Sequence, residues 1–228
     1  MKKALLIIIS FILLTILGTL LHEIGHIVPA KMLGYETTLH YGSMSWDSQS
    51  LKYSNQVQKE YPEIDKVPQS EIDKLSKLKS KEENDNLWIT LGGPIQTIAT
   101  GLFGILILYL RRNTLNKLPF GILNWLAVFL AFFWSRQVFN FLIGILNFSL
   151  GNTDSPFGGD EAKISIMLTL PNGTIGIITA AIGVVVCSLI VFKIVPRQDR
   201  VKFLSSGIVG SAIGYITWFQ IIGPNILP

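Results

Sequence analysis

Residues 4–26 read ALLIIISFILLTILGTLLHEIGH. From Ala4 to Leu21 there is no charged side chain, and only Ser10, Thr15 and Thr19 are polar. As a helix rising 1.5 Å per residue, a run of this length comes close to the roughly 30 Å hydrocarbon thickness of a bilayer. Lys2 and Lys3 precede it. A basic start and an apolar run also describe a secretory signal peptide, but no small-x-small cleavage site follows. The run passes straight into His22-Glu23. The expectation is an uncleaved first span, helical to about Leu33 and ending before Gly34.

Four more apolar blocks follow, at about 87–110, 120–146, 174–192 and 203–222. Each reaches the ~20 residues a spanning helix needs. Hydrophobic residues make up 49% of the 228-residue chain and charged residues 15%. That leaves too little polar surface for a water-soluble domain. The net charge of +4 is not a nucleic-acid footprint, because the cations flank the apolar blocks instead of forming a stripe among aromatics. The lone Cys187 sits in an apolar run and has no partner for an internal disulfide.

The flanking charges alternate. Arg111, Arg112 and Lys117 separate the second and third blocks, and Lys193, Arg197, Arg200 and Lys202 the fourth and fifth. The segment 35–86 has seven lysines against ten acidic residues, and the segment 148–173 has Lys163 against Asp154, Asp160 and Glu161. By the positive-inside rule the N-terminus faces the cytoplasm and the C-terminus the outside. The fold class expected is an all-α polytopic membrane protein, a single unit over residues 1–228 with about five transmembrane helices. Segment 35–86 is the one sizeable aqueous, extracytoplasmic loop. Within it, Thr37 to Trp46 is rich in strand formers, Asp47 to Ser50 is turn-like, and Leu51 to Ser54 reads as the returning strand of a β-hairpin. Ser70 followed by Asp73, with Ile72, Leu75 and Leu78, predicts a short surface helix. Gly210 and Gly214 form a small-xxx-small pair of the kind that packs helices together. His40 reads as a polar strand residue.

The chemistry concentrates in His22-Glu23-Ile24-Gly25-His26. Histidines at i and i+4 share one helix face, so both imidazoles can hold one metal ion, with the glutamate beside them as a base. Two imidazoles and a carboxylate suit Zn2+ with a position left open, which makes zinc the expected cofactor. The alternative is a chance string meeting headgroups at the end of a span. Against it, two of the chain's three histidines lie in this motif. Ionisable groups in a span are also expensive and usually functional.

The stretch from His22 to Gly34 resembles the site-2 protease family of intramembrane zinc metallopeptidases. Leu91-Gly92-Gly93-Pro94 stands where that family has a Gly-Pro motif, and Asp160 where it supplies an aspartate as third zinc ligand. The three elements keep the family's order from about Leu21 to Pro171. Departures are visible: Asp154-Ser155-Pro156-Phe157-Gly158-Gly159-Asp160 replaces an Asn-Pro-x-x-Asp-Gly context, and Gln96 and Thr97 stand where asparagine is common. The resemblance implies a short, divergent member without a PDZ or CBS regulatory domain, in a bacterial plasma membrane. It would cleave a membrane-spanning or membrane-adjacent protein that must locally unwind.

Two carboxylates compete as third ligand. Asp160 follows the flexible Gly158-Gly159 and opens a predicted helix over 161–170, whereas Asp154 sits in a turn. Asp160 is preferred and Asp154 is the alternative. Gly92, Gly93 and Pro94 are candidate substrate-binding residues if the helix breaks there and exposes backbone, and close helix packing is their plainer role. Arg136, Gln137 and Asn140 form a polar cluster in the third span. Arg136 and Asn140 are candidates for substrate contact; for Arg136 the functional reading is stabilisation of an oxyanion, and pairing with an acidic residue is the plainer one. The hairpin would bind an extended substrate by strand addition. The rival class is a non-catalytic membrane protein, either an inactive protease homologue that binds a partner or a transporter component. The intact Glu23 and the lack of matching interrupted helices argue against it.

Overall fold

The computed structural model describes residues 2–115 and 120–227. Lys117, one of the cations flanking the third block, lies outside them. Helix α1 spans Lys2–Met32. It stops at Gly34, whose φ of 88° is open to glycine. The Tyr35 amide then returns to the Ala30 carbonyl and the Gly34 amide to Lys31, which satisfies two end carbonyls at once. Strands β1 (Thr37–Leu39) and β2 (Met44–Trp46) form an antiparallel hairpin, with Thr37 opposite Trp46. Helices α2 (Gln49–Glu60) and α3 (Gln69–Leu110) follow. The third block is α4 (Ile122–Ala131) and α5 (Ser135–Ser149), joined by a 3-10 turn at Phe132–Trp134. Helix α6 (Gly159–Met167) is short. Helix α7 (Thr174–Leu189) runs on into a π-helical turn, as does α8 (Arg200–Ile216), and α9 (Gly223–Ile226) closes the described chain. Among the described residues, five helical stretches are long and apolar enough to cross a membrane: Lys2–Met32, Gln69–Leu110, Ile122–Ser149, Thr174–Ile194 and Arg197–Ile226.

Three local expectations are corrected. The returning strand is Met44–Trp46, and Leu51 to Ser54 lies inside α2. Ser48 decides this: its hydroxyl accepts the Leu51 amide at 3.0 Å, an N-cap that starts a helix where a strand was expected. The predicted surface helix is not a separate element. It begins at Gln69 and continues to Leu110, because no glycine or proline interrupts the chain before Gly92. Forty-two residues make a rod of about 63 Å, roughly twice a bilayer core. The third correction is the helix expected over 161–170, which is shorter: α6 ends at Met167, and Thr169 takes a positive φ of 54° before Pro171.

Helix α1 runs between α8 and α3. Gly207, Gly210 and Gly214 turn toward α1, where a Cβ on Gly210 would stand 2.6 Å from the Ile8 carbonyl oxygen. The small-xxx-small pair therefore does what its spacing suggests. Near the N-terminal end of α1, Phe11 meets Phe129, Phe132 and Phe203 edge-on, inside a core that includes Ile7, Val128 and Val191. Lys3 pairs with the buried Asp199 at this end. At the other end, Ala30, Tyr35 and Ile89 pack with Met44 and Trp46, which seats the hairpin on α1 and α3. Its turn is tied to the π-helical turn that follows α8, since the Trp218 indole donates to the Tyr41 carbonyl at 2.6 Å.

Candidate metal centre

His22, Glu23 and His26 point inward from the last third of α1, and all three are buried (2%, 7% and 6% exposed). Position 25 is glycine because α3 crosses there: a Cβ would stand 2.6 Å from the Gly92 carbonyl oxygen. A Cβ at Gly93 would overlap both imidazoles, 2.7 Å from His22 Nε2. The Gly92-Gly93 pair thus lets two helices touch and leaves room for the histidine rings.

Asp160 comes from the other side, at the start of α6. Gly159 adopts φ 72°, which a side chain would resist, and this turn delivers Asp160 inward. Phe157, packed on Gly173 and stacked on Phe141, anchors the preceding loop. Asp160 Oδ2 lies 2.9 Å from His22 Nε2 and 3.1 Å from His26 Nε2, and the two Nε2 atoms are 3.3 Å apart. Ligands about 2.0–2.1 Å from a tetrahedral zinc are themselves separated by roughly 3.3 Å, so this triangle is close to one face of such a site. Among the described residues, His22, His26 and Asp160 are the group able to hold a metal ion.

The remaining ring nitrogens are also fixed. His26 Nδ1 lies 2.7 Å from the Ile89 carbonyl oxygen. A carbonyl only accepts, so Nδ1 carries the proton and Nε2 keeps its lone pair for a metal. The Gly93 amide nitrogen is 3.2 Å from the same Nδ1, a longer contact that a protonated Nδ1 cannot accept. His22 Nδ1 lies 3.0 Å from the hydroxyl of the fully buried Thr97. Each imidazole thus has an outer partner that sets its orientation, as metal-bound histidines usually do. Pro94 lies in the same turn of α3. It lacks the amide that would pair with the Thr90 carbonyl, so the ladder is open beside the Ile89 carbonyl that serves His26.

Burial works to raise the Asp160 carboxyl, but its contacts with the two imidazoles outweigh that and hold it well below the usual carboxylate range. It is therefore ionised, the form in which a carboxylate can bind a metal ion. Burial raises its neighbour Glu161, whose Oε1 has no hydrogen-bond partner among the described residues.

The site opens into a cavity of about 720 Å3. Its walls are Asn86, Ile89 and Thr90 of α3, the Arg136, Asn140 and Asn147 face of α5, and the loop 153–159. The hairpin residues Gly42, Ser43, Met44 and Trp46 complete it. Asp154 lines the cavity but is exposed and outside the ligand group. Arg136 and Asn140 face the cavity, while Gln137 is buried against Gly183. Gly92, Gly93 and Pro94 lie beside the histidines, but α3 runs unbroken through them and their backbone packs on α1. The exposed backbone expected there is not present. His40 reaches the Ser45 hydroxyl at 2.9 Å. Thr97 and the Ile89 carbonyl were not legible as site groups, because nothing in a sequence says which polar atom will lie behind an imidazole. Gly25 could have been read, as a small residue between two ligands on a buried helix face.

Comparison with protein-family models, with characterised proteins and with solved structures finds no match for this chain.

Proposed function

We propose that this chain is an intramembrane zinc metallopeptidase, similar in its site to the site-2 protease family, that hydrolyses peptide bonds of membrane-spanning or membrane-adjacent proteins. One observation carries the reading: His22 Nε2, His26 Nε2 and Asp160 Oδ2 converge within 3.3 Å, with Glu23 buried next to them and an open cavity in front. The donor set of two neutral imidazoles and one carboxylate fits Zn2+ with a free position. Bound there, the ion would act as a Lewis acid, polarising a peptide carbonyl and acidifying a water.

The chain's own groups do the rest. The Ile89 carbonyl holds His26 in the ligating tautomer, and the Thr97 hydroxyl orients the His22 ring. The Glu23 carboxylate takes a proton from the attacking water and passes it to the leaving amine nitrogen. The cavity, with the hairpin at its edge, has room for an unwound peptide segment. The test is cleavage of a membrane-protein reporter by detergent-purified protein carrying about one zinc per chain. Chelation should abolish cleavage and zinc should restore it. Cleavage that survives complete metal removal overturns the reading.

The membrane setting is supported by apolar side chains left exposed along the long helices, such as Leu13 and Leu17 on α1, Leu102 and Phe103 on α3, and Val184 and Val185 on α7. Lys3, Arg111 and Arg200 all lie at the end of the bundle away from the hairpin, consistent with a cytoplasmic N-terminus. A cysteine at Ser76 should then react with an impermeant thiol reagent on intact cells, and one at Asn113 should not. Labelling at Asn113 alone reverses the orientation.

A further inference from the structure

One charged group of the cavity has no part in the reaction as described. Arg136 stands in the first turn of α5 and lines the same cavity as His22, Glu23 and Asp160. Its Nε is buried without a hydrogen-bond partner, and among the described residues it forms no ion pair. Glu23, Asp160 and Glu161 are nevertheless all near enough to feel its charge. An arginine whose Nε is shut off from water normally turns its fork onto a carboxylate, because the lost hydrogen bond is otherwise unmet. Here three carboxylates act on its charge, and among the described residues none is bonded to it. Lys163, the other cation lining the cavity, is exposed and can be satisfied by solvent.

We propose that Arg136 is a catalytic residue whose guanidinium receives the scissile carbonyl oxygen as negative charge develops on it. This rests on the peptidase reading above. When the water oxygen bonds to the carbonyl carbon, the carbonyl π electrons move onto oxygen and one water proton moves to Glu23. Arg136 N–H groups then donate to that oxygen. Collapse restores the carbonyl, the C–N bond breaks with its electron pair on nitrogen, and the nitrogen takes the proton from Glu23. The products are a carboxylic acid and an amine, and Glu23 is regenerated. Charge balance favours this role over binding a permanent substrate carboxylate. A permanent anion at Arg136 would face Glu23, Asp160 and Glu161 together. The developing oxyanion appears only as the incoming proton neutralises Glu23.

The test uses zinc-loaded wild type, Arg136→Gln and Arg136→Lys in detergent. Two readouts are taken: kcat and KM on a cleaved reporter, and binding of a Leu-Leu phosphinic isostere beside its ordinary amide. The phosphinate carries a tetrahedral anionic centre, and its binding takes up a proton on Glu23 as the transition state does; the amide does neither, so only the first should sense a group aimed at the transition state. Arg136→Gln should keep its zinc and helicity, lose about 10²-fold in kcat with KM little changed, and bind the phosphinate more weakly by a similar factor. Amide binding should be unaltered, and Arg136→Lys should fall between. Equal weakening of both ligands, loss of zinc, or unchanged kcat overturns the assignment of Arg136 alone. A wild type that neither cleaves nor binds the phosphinate overturns the peptidase reading and this one with it.

Discussion

Replacing Glu23 by glutamine is expected to leave about one zinc per chain bound and to lower peptide hydrolysis by roughly 10²–10⁴-fold. Glutamine keeps the size of glutamate, so the buried space beside His22 is filled as before. The proposed ligand atoms belong to His22, His26 and Asp160 and are untouched. What is lost is a group that can take a proton and give it back. Metal analysis and turnover on the same preparation check both halves. A Glu23→Gln protein that hydrolyses at the wild-type rate removes Glu23 from the mechanism, whatever its metal content. A variant that loses its zinc instead makes Glu23 a ligand, which the geometry of the other three does not require.

The second large effect is on metal affinity. Asp160→Ala is expected to strip most of the zinc, because it removes one of three ligand atoms and leaves two imidazoles that cannot close a stable site. Asp154→Ala should change affinity little, since Asp154 is exposed at the cavity rim. Thr97→Val sets the scale between them. It keeps every ligand and removes only the hydroxyl behind His22 Nδ1, a loss that typically costs 10–100-fold in affinity. The expected order of zinc affinity is therefore wild type and Asp154→Ala, then Thr97→Val, then Asp160→Ala, read by competition with a chelating dye. If Asp154→Ala releases zinc and Asp160→Ala holds it, the third-ligand assignment must be exchanged.

The expectations that failed do so for one kind of reason. Strand propensity alone favours a strand at Leu51–Ser54, and the Ser48 cap outweighs it with a hydrogen bond that fixes a helix start. The separate surface helix was inferred from its own apolar stripe, but the boundary drawn at residue 87 was a change of polarity, not a break in the backbone. The break expected at Gly92-Gly93-Pro94 was read from residues that do weaken helices. The α3 helix nevertheless runs on through them, with Gly92 in close contact with Gly25 of α1. In each case a local signal was real and a neighbour decided its outcome.

The sequence by itself determined that there are five long apolar helical stretches, since apolar length is a property of the chain alone. It also determined that His22, Glu23 and His26 share a helix face, because i and i+4 are bound to do so. Only the tertiary structure decided that Asp160, far along the chain, meets His22 and His26 in a group that could hold a metal while the nearby Asp154 stands outside it. It also decided that Thr97 and the Ile89 carbonyl stand behind the imidazoles. Those placements depend on how closely α1 and α3 approach and on the left-handed turn at Gly159. Helix periodicity fixes neighbours within a few residues, whereas the meeting of distant residues is set by packing.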